Sequence, residues 1–546
     1  MQHSKLLKGI IFKKQLHMKK TIINFTLVLL VGILILSCED NTSGFLETDL
    51  SKEHLIPKPV AVTSTKSSFI LDKNTTINTD SDSKFIAVGK FLLKKIKSKT
   101  GLNLKTTTNN STTKGIFILK VDDGTLGDEG YKITISENSI TINAKSDKGA
   151  FNAIQTLRQL IPFKSFSEQE KKYTIPTGTI KDLPNFEYRG AMLDVARHFF
   201  SVDDVKKYID AMAYYKMNIL HLHLSDDQGW RIEIKSWPEL TEIGGHTSVG
   251  GESGGFYTQE DYTEIVNYAA ENYITIIPEI DMPGHTHAAY TSYPILDGRK
   301  TSTSILENNI SDKKALLYTG TEVGFSTFDT RKEEVYTFID DVIREISELT
   351  PGKYFHMGGD ESLVTEHNDY VYFVERVGGI IRKYDKTMIG WDEVAKANLD
   401  STAVVQFWAK EDNALKASEN GMKIILSPAK KIYLDQKYDS VSKYGLHWAA
   451  YISVDSAYIW SPEKYIKGIN KEQILGVEAP LWSETINTRE ELEYLAFPRL
   501  IGAAELGWSI EENRNWEDYK LRLANQTQYL NMMDIKYYPS KLIDWK

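Results

Sequence analysis

The sequence predicts an α/β architecture, a (β/α)8 barrel preceded by a small α+β domain. Three observations carry that prediction. Apolar strand-like runs recur in eight places over about 300 residues, most of them followed by a helical segment. The runs are continuous rather than alternating, as parallel strands buried on both faces are. Polar and aromatic residues gather immediately after the runs, where such a barrel carries its functional side chains.

The elements follow in chain order. Lys19-Lys20 precedes an apolar run from Thr21 to Leu36, which ends in Ser37-Cys38-Glu39-Asp40. A basic start, a short apolar stretch and a small residue before the break describe a secretory signal. At about 17 apolar residues the run is marginal for spanning a bilayer. It resembles a bacterial lipoprotein signal over residues 1–38, with Cys38, the one cysteine of the chain, as the acylated residue. A start at Met18 gives a tidier signal. Each buried CH₂ of an acyl chain contributes about 0.8 kcal/mol, so several chains hold firmly. The expected place is therefore the bacterial cell envelope, lipid-anchored to a membrane. Residues 39–57 are polar and read as a tether.

Residues 58–182 alternate short β-type runs (Ser68–Leu71, Gly115–Val121, Tyr131–Ser136, Ser139–Ala144) with two helical patterns, Ser83–Thr100 and Asp147–Leu160. In the first, Phe85, Val88, Phe91, Leu92 and Ile96 recur at helical spacing. Asp182-Leu183-Pro184-Asn185 is turn chemistry and marks a boundary. The barrel is expected over 186–530, with strands at Gly190–Val195, Ile219–Leu224, Ile274–Ile280, Tyr354–Met357, Thr387–Ile389, Ala403–Phe407, Lys423–Leu426 and Ile474–Leu481. A long polar segment at Leu296–Ser326 interrupts it, and residues 531–546 read as a helical tail.

Composition excludes some partners. Formal net charge is −9, and residues 1–37 hold six lysines and no acid. The remainder carries 59 Lys+Arg against 74 Asp+Glu, a balance of −15. So acidic a body is a poor partner for nucleic acid. A single cysteine excludes zinc ribbons and disulfide scaffolds.

Carboxylates and tryptophans on one rim suggest a carbohydrate pocket, since sugars offer hydroxyls to acids and C–H faces to rings. The sharpest element is His356-Met357-Gly358-Gly359-Asp360-Glu361. A glycoside hydrolase normally needs two carboxyl groups about 5–9.5 Å apart across the scissile bond. Adjacent Asp and Glu are poorly placed to straddle a bond, so one acts as the acid and the other does different work.

Five stretches together resemble glycoside hydrolase family 20, the β-N-acetylhexosaminidases. They are Arg189–His198, His221–Arg231, Pro278–His285, His356–Glu361 and Ala479–Glu484. The resemblance covers about residues 58–530. It implies exo-hydrolysis of terminal β-linked N-acetylhexosamine, with the substrate's own 2-acetamido oxygen as nucleophile. It implies Glu361 as general acid and base, Asp360 as the partner of the acetamido N–H, and Tyr433 as donor to the acetamido oxygen. Trp391, Trp408 and Trp482 would wall the pocket, while Arg197, Asp435 and Glu484 bind ring hydroxyls. Asp226 and His285 would stand behind the catalytic glutamate and tune its pKa. The implied partner is an oligosaccharide or glycoconjugate, with no cofactor and no metal.

Two other readings stay open at the level of residues. His221-x-His223 and His285-x-His287 have the spacing of metal ligands, which suits a metal-dependent barrel amidohydrolase or deacetylase. A catalytically silent glycan-binding lipoprotein would share the fold without the chemistry.

Overall fold

A computed structural model describes residues 47–108, 114–299 and 312–546. The signal, Cys38 and part of the polar segment after Leu296 lie outside the described residues. No helix among those described is long and apolar enough to cross a membrane.

The first domain is a seven-stranded mixed sheet with two helices. Both predicted helices form, at Ser83–Thr100 and Asp147–Leu160. Asp82 caps the first, accepting from the Lys84 N–H, and Gly101 ends it at φ 71, where a left-handed residue is needed. The helices meet through Phe91 and Phe151, whose ring centres lie 5.0 Å apart. Strands at Thr76–Thr79, Lys105–Thr107 and Tyr173–Asp182 escaped the sequence reading. The first two are short and threonine-rich, so they carry no apolar run to find.

The expected tether is corrected at its far end. Leu50, Leu55 and Ile56 are buried, the first two in the first domain's core and Ile56 in the barrel's. Gln159 clamps Ile56 from both sides, accepting from its N–H and donating to its carbonyl. Three apolar residues scattered among polar ones show no periodicity, so the sequence gives no sign of this packing. The C-terminal segment is likewise not a helical tail. Beyond Met532 it runs irregularly over the barrel, burying Ile535 and Ile543 and stacking Tyr538 on Tyr438 at 4.0 Å.

All eight predicted barrel strands form and close on themselves. In order they are Tyr188–Asp194, Ile219–His223, Thr275–Glu279, Tyr354–His356, Thr387–Trp391, Val404–Phe407, Lys423–Leu426 and Ile474–Leu481. The eighth pairs in parallel with the first, Gly476 opposite Tyr188 through Leu481 opposite Leu193. A buried node joins the two domains. Asp182 accepts from Lys216 Nζ at 3.0 Å, Tyr131 Oη at 2.7 Å and Trp508 Nε1 at 3.0 Å. Removing one member of such a buried ion pair typically costs about 3–5 kcal/mol, because the other charge is stranded.

Candidate active site

The fourth strand ends at His356 and the chain turns through Gly358 and Gly359, at φ 68 and 100. A Cβ at Gly358 would lie 1.8 Å from Asp281 Oδ1, so only glycine fits there. That same oxygen accepts the Gly359 N–H at 2.9 Å, and Tyr370 Oη donates to the Gly359 carbonyl at 2.6 Å. The loop is thus fixed from both sides before Asp360 and Glu361 emerge. Glu361 itself sits at φ 46, a left-handed position that costs a non-glycine residue roughly 1–2 kcal/mol. Strain of this kind collects where a side chain must be aimed.

Asp360 is buried and Glu361 keeps about a third of its side chain open (32%). Burial, reinforced by Asp281 and Glu361, pushes the Asp360 carboxyl well above its ordinary range. A cation formed in the pocket would draw it back toward the ionised state. Asp281 is itself pushed up to about 7, chiefly by burial.

Beside this pair stands an aromatic box of Met192, Trp391, Ala429, Tyr433 and Trp482, edged by Trp408. Trp391 and Trp482 lie 5.7 Å apart, and Tyr433 6.3 Å from Trp482. Trp391 Nε1 donates to Glu279 at 2.9 Å, and Trp408 Nε1 to Glu393 at 3.0 Å. Burial and nearby Asp360 and Asp435 raise the Tyr433 phenol, which keeps its proton as a donor.

Across the box lie Arg197, Asp435 and Glu484. Arg197 covers the Trp482 ring at 4.9 Å, with Asp226 Oδ2 at 2.7 Å. Burial lifts Asp435 to about 8, with Glu484 adding to it, and burial raises Glu484. Asp360 Oδ1, Asp435 Oδ1 and Glu484 Oε2 are all buried without a hydrogen-bond partner. Buried acceptors are seldom left unpaired. A ligand with several O–H and N–H donors would complete them.

Asp226 does not face this space. Its Oδ2 takes His223 Nε2 at 2.6 Å and Arg197, and its Oδ1 takes His285 Nδ1 at 3.1 Å. His285 Nε2 lies 3.5 Å from Glu361 Oε2 and 3.7 Å from Asp360 Oδ2. Both residues stand behind the acids, not on the hydroxyl-binding side. Burial would raise Asp226, but Arg197 and His285 outweigh it and hold the carboxyl far below its usual range.

Several sets of these groups lie close enough to share a cation, among them His221, Glu279 and His356, and His285, Asp360 and Glu361. Within the barrel many of these atoms already face one another, while His221 Nε2 and His285 Nε2 have no hydrogen-bond partner. His221 Nδ1 is 3.0 Å from Glu478, and His223 has a carboxylate at each nitrogen. His287 is set apart, its Nδ1 near Thr291 Oγ1 at 3.2 Å.

Sequence reasoning placed Asp281, Asp392 and Glu393 after strand-like runs and Glu279 in a motif without giving them a role, and missed Trp448. Asp392 accepts the N–H groups of Trp408, Ala409 and Lys410 through one oxygen, fixing the Trp408 loop. Trp448 is 58% exposed and packs edge-on to Trp408 at 6.0 Å. Asp392 and Glu393 directly follow a strand-ending tryptophan, a signal that was available; Trp448 follows no strand. A cavity of about 840 Å³ lies at the opposite end of the barrel, near Phe151, Phe186 and Tyr354, away from these acids.

Known proteins match this arrangement along the chain. The family described as glycosyl hydrolase family 20, catalytic domain, matches residues 186–371 and 362–511, and its domain 2 matches 52–183. A beta-N-acetylhexosaminidase of Cellulomonas fimi is 35% identical over 90% of this chain and 97% of its own. The N-acetyl-beta-hexosaminidase of Streptomyces plicatus, solved with Thio-NAglucal, is 43% identical with a TM-score of 0.84, covering 90% of this chain and 98% of that one. The family 20 enzyme of Streptomyces coelicolor is 43% identical at the same TM-score, covering 90% and 99%. With both domains matched and the acid pair seated on the barrel rim, the chain belongs to glycosyl hydrolase family 20 and is a glycoside hydrolase.

Proposed function

We propose that the protein is an exo-acting β-N-acetylhexosaminidase whose substrate supplies its own nucleophile. The observation that carries this is Asp360, buried beside an aromatic box with an orphaned Oδ1, directly next to the more open Glu361. A carboxylate oxygen of each lies within 4.8 Å of the other's and of His285. Carboxyl groups that flank a bond stand farther apart, at about 5–9.5 Å, which argues against Asp360 as the nucleophile of an ordinary retaining scheme. In this reading the acetamido oxygen attacks C1 while the Glu361 proton passes to the leaving oxygen. Asp360 accepts the acetamido N–H and stabilises the oxazolinium cation that forms. The Glu361 carboxylate then removes a proton from water as the water attacks C1 and the bond from C1 to the acetamido oxygen breaks, which restores the acetamide and retains configuration.

The test is turnover of a β-N-acetylglucosaminide against the matching β-glucoside with the same good leaving group. Removing the acetamide removes the nucleophile, so the glucoside should be nearly inert, and a thiazoline analogue of the intermediate should inhibit strongly. A covalent adduct trapped on an Asp or Glu by a 2-fluoro sugar would overturn substrate assistance. Activity should also survive dialysis against EDTA; loss that zinc restores would favour the metal-dependent amidohydrolase.

The apolar run ending at Cys38 supports a lipid-anchored place in the bacterial envelope. The mature protein should partition into detergent when made in a bacterium, and Cys38→Ser should abolish that. Soluble wild-type protein starting at another residue would rule the anchor out.

A further inference from the structure

A chain of alternating acids and imidazoles runs through the barrel interior to the acid/base carboxylate. Glu478 Oε1 lies 3.0 Å from His221 Nδ1, and His221 Nε2 makes a 3.0 Å ion-pair contact with Glu279 Oε2. The same oxygen meets His223 Nδ1 at 2.5 Å. From there the chain passes to Asp226, His285 and Glu361 through the contacts given above. Every member before Glu361 is at most 2% exposed. Family resemblance accounts only for Asp226 and His285.

We propose that Glu279 and His223 are positioning residues for the acid/base step, holding His285 through Asp226 as a cation aimed at Glu361. The inference rests on Glu361 being the general acid.

Each ring nitrogen of His223 faces a carboxylate oxygen. A bare lone pair at either position would oppose an anion, so the ring keeps both protons. Doubly protonated, it donates to Asp226 Oδ2 and fixes that carboxylate's rotation, leaving Oδ1 aimed at His285. Burial alone would strip the proton; Glu279 and Asp226 outweigh it and hold His223 well above its ordinary pKa. His221 follows the same logic: burial opposes its charge, but Glu478 and Glu279 lift it to about 9. Charges therefore alternate along the chain, which is how buried ions are tolerated.

The other neighbours do not undo this. His223 also faces Arg197 Nη1 at 3.3 Å, and both converge on Asp226. Glu279 also faces His356, at 3.0 Å, and the Trp391 N–H. His285 faces the Asp227 carboxyl at 3.7 Å as well as those of Asp226, Asp281, Asp360 and Glu361, and among these Asp226 is held firmly ionised.

The sign follows from the charges. Glu279→Gln removes one of the two anions holding the His223 proton. The amide carbonyl of the introduced side chain can still accept the His223 Nδ1 proton, so Asp226 keeps its orientation and only the negative charge is lost. With one anion fewer behind Asp226, the His285 proton leaves at lower pH.

The experiment is the pH profile of kcat/KM for Glu279→Gln and His223→Gln, with Trp391→Phe as comparison. The alkaline limb should move down by about one pH unit in Glu279→Gln, the smaller end of what one nearby opposite charge produces, and up in His223→Gln, which removes a cation. Trp391→Phe breaks the Trp391–Glu279 bond but leaves the chain, so it should raise KM without moving the limb. Unmoved limbs in folded Glu279→Gln and His223→Gln would overturn the proposal. Should either variant not fold, ¹⁵N NMR of the wild-type histidines decides: His223 and His221 should carry protons on both nitrogens at pH 7.5, and a neutral ring at His223 overturns it. Equal losses on good and poor leaving groups in Glu361→Gln would sink the acid assignment; an unmoved limb with that dependence intact sinks only the chain.

Discussion

Two layers of the same barrel interior, a single strand repeat apart, are built from opposite chemistries. The lower takes one side chain from each strand: Tyr188, Ile219, Ile277, Tyr354, Ile389, Val404, Ile425 and Leu475. Two residues further along, the strands bring in His221, Glu279, His356, Trp391 and Gln406. Glu478 joins them because the register shifts at Leu475, where Ile424 pairs with Ile474 but Ile425 with Gly476. The lower layer is mainly apolar volume, with Tyr188 alone donating up to Glu478, and each fully buried aliphatic side chain there contributes about 1.5–3 kcal/mol. The upper layer carries charges whose desolvation costs several kcal/mol per ion and is offset only if each finds its partner. One layer closes the barrel; the other, nearer the rim, aims the acid pair. Stability and chemistry are thus separable along a strand, and mutations can test how cleanly.

The largest effect belongs above both layers. Glu361→Gln should cut kcat by about 10²–10⁴-fold on substrates with poor leaving groups, and by less on activated aryl glycosides, where little acid help is needed. Steady-state kinetics on both substrate types reads this directly. Asp360→Asn comes next. It keeps the volume but removes the charge opposite the developing cation, so about 10²–10³-fold should be lost in kcat with KM little changed. A loss confined to KM would mean that Asp360 binds substrate and intermediate alike.

Below the rim the expectation reverses. Ile277→Ala empties part of the lower layer and should cost about 2–5 kcal/mol in urea unfolding. The folded enzyme should keep nearly its full kcat, because no charged partner of the upper layer is touched. A kcat that falls together with stability would show that the layers are mechanically coupled.

How far the sequence revealed this division depended on local pattern. The eight strands were legible because parallel strands buried on both faces are continuous apolar runs. Asp360 and Glu361 were legible because a Gly-Gly turn follows such a run. Glu279 was hidden although it sits in plain view at the end of Thr275–Glu279. Its importance lies in partners from other strands, His221, His223, His356 and Trp391, and tertiary convergence leaves no mark on spacing. Glu478 was further obscured by the shift at Leu475, which reverses the in-and-out alternation that sequence reasoning assumes. Leu50 and Ile56 were missed for a similar reason, since what buries them is a surface assembled from distant segments.

The smallest expected effect separates the layers by pH. Apolar packing does not titrate, so the stability lost in Ile277→Ala should be the same at pH 6 and pH 9. The upper layer does titrate. Burial disfavours the His221 cation, but Glu478 and Glu279 raise it to about 9, above an unfolded value of about 6.5. A raised folded pKa means a contribution fully present below about pH 6.5 and lost as pH rises through about 9. Glu279 and Glu478 run the other way. Burial would raise them, yet their imidazole partners hold them low, so their contribution is present above about pH 4.5 and fades as pH falls further. The layer should therefore be firmest between about pH 5 and 6.5. From pH 6.5 to 9 the wild type should lose stability, by at most about 3 kcal/mol from His221 at 1.36 kcal/mol per pKa unit. Glu478→Gln should flatten that slope while Ile277→Ala shifts the whole curve down in parallel. A wild-type curve level across that interval, measured by urea unfolding, would mean that the imidazoles are neutral in the folded barrel and that the two layers differ in polarity but not in charge.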